Sequence, residues 1–100
     1  MSDFRDTLAA GRRLAVLRLV KVEDGCSDKV LHVAIREFGF SRAALSEVKA
    51  DIEWLGERGL VNVDRIDTLP GVMLIARITD RGRDAAAGRG DPIEGLERPE

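Results

Sequence analysis

The chain has no tyrosine, one tryptophan, one histidine and one cysteine in 100 residues. A lone Cys26 excludes an intrachain disulfide and any multi-cysteine metal site within one subunit, so no metal is expected. It also fits a reducing compartment, and the expected location is cytoplasmic. His32, on the outward side of a helix, reads as a surface histidine. The ten glycines build no phosphate-binding loop, because Gly82, Gly88 and Gly90 fall in a polar helix end and a polar tail. The longest unbroken apolar run is Val72–Ala76, far too short to span a membrane. Residues 1–6 are polar and acidic and do not form a secretory leader. Net charge is −2, so no global positive field draws the protein onto nucleic acid. No enzyme chemistry and no cofactor are expected.

What is present suits one domain: 44% of the residues are apolar and 34% are charged. Charge is distributed unevenly. Residues 1–20 carry Arg5, Arg12, Arg13 and Arg18 against Asp3 and Asp6. Residues 91–100 carry Asp91, Glu94, Glu97 and Glu100 against Arg98 alone. From Gly88 onward Ile93 and Leu96 are the only apolar side chains. Residues 89–100 are therefore expected to form a disordered acidic tail beyond a domain of residues 1–88.

The chain is organised around Ser41–Val63. Leu45, Val48, Ile52 and Leu55 recur at the helical period as one apolar stripe. Phe40 and Leu45 have hydrophobic-staple spacing around Ser41 as N-cap. Gly59 stops the helix, predicted over 41–58, and Leu60, Val61 and Val63 start a strand. Asp51, Glu53 and Glu57 read as solvated helix charge.

Upstream, a first helix is predicted from about Asp3 to Val22. Phe4, Leu8, Ala15 and Leu19 share one face, while Leu14 and Leu17 project from nearly the opposite side. A helix apolar on both sides needs cover on both. The cover is either the rest of the domain or a second subunit, and a homodimer through Leu14 and Leu17 is expected. A second helix starts at Ser27, buries Leu31, Ala34, Ile35 and Phe38, and stops at Gly39. Cys26, just before that cap, reads as a small packed thiol.

Downstream, Leu60–Ile66 and Val72–Ile78 form a hairpin, with Pro70-Gly71 at the centre of its turn. Thr79 and Asp80 cap a last short helix through about Ala87, weakened by Gly82.

Two segments carry a family resemblance: WLGERGLV at Trp54–Val61, and ARITDRGRDAAAG, which begins about fifteen residues later. Together with RLAVLRLV at Arg13–Val20 they resemble the winged helix-turn-helix family. The arrangement also resembles small winged-helix proteins of Mu-like prophages, often labelled ArsR-like regulators. The resemblance implies an α+β, mainly helical fold: three helices, a two-stranded β-hairpin wing over 60–79, and a short C-terminal helix. Metal sensing does not carry over, because the paired cysteines of the metal-sensing relatives are missing.

Two functions follow from the resemblance. The first is a prophage-encoded DNA-binding transcriptional regulator. Its recognition helix would present Arg42, Ala43, Ser46, Glu47, Lys49 and Ala50 to double-stranded DNA, with Arg65 and Arg77 on the wing. The second is a winged-helix protein-protein interaction module that does not bind DNA, with Trp54 in the partner interface; the other reading of Trp54 packs it under the wing or against the first helix. The acidic balance of Ser41–Leu60 suits the second; the habit of the family suits the first, which is the function expected, with the second as its alternative.

Overall fold

The computed structural model describes residues 3–99. Helix α1 covers Phe4–Val22 and strand β1 covers Cys26–Ser27. Helix α2, Asp28–Ala34, runs into a 3₁₀ turn at Ile35–Phe38, and helix α3 covers Leu45–Glu57. Strands β2 (Val61–Thr68) and β3 (Gly71–Ile78) form a hairpin, and helix α4 covers Asp80–Ala86. The fold is α+β with about half of the chain helical, and the antiparallel sheet has the order β1-β3-β2. The third strand, β1, was not expected.

Helix α1 is the centre of the domain. It packs against α3, α4, β3 and the 3₁₀ turn. Leu14 and Leu17 are only 2% and 0% exposed, so this chain itself covers the side assigned to a second subunit. That corrects their assignment to a dimer interface. The apolar residues left in water on α1 are instead Phe4, Leu8 and Val22.

Ser27 caps α2 as expected, its hydroxyl accepting the Val30 N–H at 3.3 Å. The tighter 3₁₀ turn then rotates Phe38 outward, which departs from its expected inward position. Gly39, at φ +91°, lets Phe40 N–H reach back to the Ile35 carbonyl at 3.3 Å.

Helix α3 starts four residues later than expected. His32 Nε2–H donates to the Ala43 carbonyl at 2.7 Å, which takes that oxygen away from the helix. Glu47 then accepts the Ala44 N–H at 2.9 Å, in place of a capping hydroxyl. Ser41, Arg42 and Ala43 consequently lie in the preceding turn. The stripe behaves as predicted where it is deepest: Val48, Ile52 and Leu55 are fully buried.

The hairpin turns through Leu69 and Pro70, and Thr68 faces Gly71 across the ladder. Gly71, at φ +141°, is thus a strand residue and not the turn centre. Leu74, Ala76 and Ile78 point into the core. Beside them Cys26 pairs with Ala76, and its thiol is buried. Thr79 caps α4 by accepting the Gly82 N–H at 2.9 Å.

The tail does not follow the expectation of disorder. Ile93 and Leu96 pack against the core, and Glu97 N–H donates to the Ala10 carbonyl at 3.2 Å. Between the two apolar anchors Arg13 of α1 donates to the Gly95 carbonyl.

Candidate functional site

The outward face of α3 carries Ser46, Glu47 and Ala50 exposed, with Arg42 exposed in the turn before it. Ala43 is half-buried beneath that turn. Ser46 and Ala50 are the small side chains of that face. The cations that were to accompany them are placed differently.

Lys49 is committed inside its own chain. Its ammonium lies 2.7 Å from Asp28 Oδ2 and also donates to the Val72 carbonyl. Asp28 is fully buried and accepts the Lys29 N–H at 2.7 Å and the Leu74 N–H at 3.1 Å. Burial alone would raise its pKa. The Lys49 ammonium and the two backbone donors outweigh that and hold it below the ordinary carboxylate value. This cluster continues the edge of β3 where the two-residue strand β1 stops. The free phosphate-binding lysine expected on α3 is therefore corrected to a structural one.

The wing arginines are also paired. Arg65 Nη2 lies 2.5 Å from Glu53 Oε1 of α3, and Arg77 Nε lies 3.1 Å from Asp64 Oδ2 across the hairpin. Both pairs are open to solvent, so each is weak and can be exchanged for another anion. In the resting chain they leave Arg42 as the one proposed DNA contact among the described cations that has no carboxylate partner.

Asp51, read from the sequence as solvated, is 2% exposed. Arg12 of α1 grips it from two nitrogens, with Nε 2.5 Å from Oδ2 and Nη2 3.1 Å from Oδ1. Arg12 also reaches Glu47 at 3.4 Å. Burial pushes the Asp51 carboxyl up, against the pull of Arg12 and Arg13. The hydrogen-bonded carboxylate raises Arg12. The signal was present in the sequence. Asp51 stands at the apolar spacing between Val48 and Leu55, and Arg12 stands at the start of the all-round apolar half of α1.

Trp54 is also placed within the chain. The Arg58 guanidinium lies 3.7 Å and the Arg13 guanidinium 4.4 Å from the centroid of its ring. Gly95 of the tail lies against its edge, so a Cβ there would come within 2.7 Å of the ring. The partner first assigned to Trp54 is thus, in this structure, the chain's own tail. Among the described residues, no group of three His, Cys, Asp or Glu is placed to hold a metal ion.

A small α+β domain with paired surface charge is the class that fold and site define. No protein-family model matches the chain. It is 32% identical over 95 residues to the "Uncharacterized protein gp26" of Escherichia phage Mu, a match that takes in 94% of this chain and 93% of the relative. The chain belongs to the family of that phage protein, and the similarity supports a phage origin.

Proposed function

We propose that the chain is a non-enzymatic winged helix-turn-helix module that docks a protein partner and does not grip duplex DNA. In this reading α2 and α3 form the helix-turn-helix, the β2–β3 hairpin is the wing, and α4 closes the domain behind it. Placement of α2, α3 and the hairpin around a central α1 supports the fold assignment. One observation carries the choice of partner. Lys49, Arg65 and Arg77, three of the four cations of the expected DNA face, are matched by Asp28, Glu53 and Asp64 of the same chain. Affinity for duplex DNA comes largely from cations that neutralise phosphates and release counterions. Lys49 is held by a buried carboxylate, and the two wing arginines must each give up a carboxylate before meeting phosphate, so this face gains less from that term than free cations would.

The second reading is a DNA-binding transcriptional regulator. It is favoured by Arg42, exposed and without an ion pair beside Ser46 and Ala50. Titration of a labelled random-sequence duplex at low salt separates the two. The docking reading expects no saturation with protein up to about 100 μM, where weak non-specific binders of this kind already register. Saturable binding that weakens as salt rises, and weakens again in Arg42→Ala, overturns it in favour of the regulator.

A further inference from the structure

The tail lies along a groove between α1 and α3. Its floor is Ala10 and Arg13 of α1 with Trp54 of α3. Arg13 lies over the Trp54 ring and donates from Nη1 to the Gly95 carbonyl at 2.9 Å. Its Nε is buried and has no hydrogen-bond partner, 3.9 Å from Asp51. That nitrogen faces Asp51, and the hydrogen bond from Arg13 to the tail is to a backbone carbonyl and not to a carboxylate. Ile93 and Leu96, three residues apart, supply the apolar contacts, and the Glu97 N–H supplies the backbone one. An open cleft of about 410 Å³ remains between α1 and the tail, its charged lining being Asp6 and Arg13 of α1 with Glu94 and Glu97 of the tail. The seated segment is thus small and acidic, and none of its described carboxylates pairs with the two guanidinium groups around Trp54.

We propose that this groove is a docking site for an acidic segment of a protein partner, with two apolar residues spaced as Ile93 and Leu96 are. The tail is its resident competitor. The partner displaces it and meets Arg13, Trp54 and Arg58 with a fuller set of contacts. Tethering puts the tail at an effective concentration in the millimolar range, so a weak intrinsic fit is enough to keep the groove covered. The proposal uses a surface beside the outward face of α3 and does not depend on what that face binds.

The test uses full-length chains and a fluorescent synthetic peptide with the sequence of residues 89–99. Ile93→Asp with Leu96→Asp releases the tail. Trp54 is the sole tryptophan, so acrylamide quenching reports this groove alone. The double variant should melt cooperatively, show a more quenchable tryptophan, and bind the peptide saturably with quenching reversed. The wild-type chain should bind the peptide about a hundredfold more weakly, because its own tail competes. Replacing both glutamates of the peptide by glutamine should weaken binding about two- to fivefold. A folded double variant with unchanged quenching overturns the proposal, as does one with an exposed tryptophan that binds no peptide. If the double variant does not fold, Gly95→Val is the second release variant, since its Cβ collides with Trp54. If that also fails to fold, the tail is part of the core and the docking site does not exist. A wild-type dimer that the double variant loses gives the groove to the tail of a second copy and overturns the partner assignment.

Discussion

Arg12 and Asp51 form a two-pronged ion pair between α1 and α3, with the Arg12 residue 8% and the Asp51 residue 2% exposed. Such a pair gives up the hydration of both ions, and its attraction roughly returns what desolvation costs. Its contribution is to fix how α1 and α3 meet. Removing one partner is a different matter, because the other is then left charged and buried. Asp51→Leu or Arg12→Met alone should each destabilise the fold by about 3–5 kcal/mol. The double replacement should recover most of that loss. Urea unfolding of the four proteins as a double-mutant cycle measures it. Single and double losses that simply add would show that the two side chains do not act as a pair.

The Asp28–Lys49 pair makes stability depend on acid. Its folded pKa lies below the ordinary value of 3.8, so its contribution is fully present above that value. It is lost as pH falls from there through the lower folded value. Asp51 runs the other way, since burial raises its carboxyl and its protonation favours the folded chain as pH drops. The two must therefore be separated by difference. Asp28→Asn should be less stable than wild type at neutral pH, and the gap should close below about pH 4. Chemical unfolding at several pH values reads the gap directly. A gap that stays constant down to pH 2 would remove the linkage. Lys49→Ala should destabilise in the same sense, since it leaves the Asp28 carboxylate in the core without its cation.

What the sequence disclosed was local. Ser27 and Thr79 cap helices within three residues of themselves, and Val48, Ile52 and Leu55 mark their stripe by period alone. What it concealed was between elements. Nothing near Lys49 in sequence announces Asp28, and Arg65 meets Glu53 only once the hairpin has folded over α3. The start of α3 was missed because a histidine eleven residues upstream takes the Ala43 carbonyl. Leu14 and Leu17 show a further limit. Periodicity reveals that a face is apolar, but not whether the same chain or another covers it.

For that face the outcome is now specific. Leu17 is fully buried among its own chain's residues. Leu17→Glu should unfold the subunit and should not yield a folded monomer. Leu17→Ala should cost about 2–5 kcal/mol by opening a cavity at the centre of the domain. Circular dichroism melts, run beside light scattering, distinguish the cases. A folded Leu17→Glu monomer, obtained from a wild-type dimer, would restore the interface reading and displace the central-helix one.

Gly82 gives the sharpest contrast between local propensity and packing. It sits in the first turns of α4, where alanine is the better helix former by about 1 kcal/mol. On propensity alone Gly82→Ala should stabilise a short helix. The structure reverses the sign. A Cβ at this position would lie 2.0 Å from the Leu60 carbonyl oxygen and 2.8 Å from the tip of Ile78. The Leu60 carbonyl is backbone, and it is held by hydrogen bonds from the Thr79 N–H at 3.2 Å and the Thr79 hydroxyl at 3.0 Å. It cannot yield without disturbing the cap that starts α4. The absent side chain is thus what lets α4 dock onto the junction of α3 and the hairpin. Gly82→Ala should lose about 1–3 kcal/mol net, as overpacking of a closed contact does. Gly90→Ala is a useful comparison, because its added Cβ meets nothing within 4 Å but is strained at φ +82°. Its loss should come from the backbone alone and be smaller, about 1 kcal/mol. Parallel urea titrations give both values. A Gly82→Ala protein as stable as wild type would mean that α4 can withdraw from Leu60 at little cost, and that the close approach is incidental to the fold.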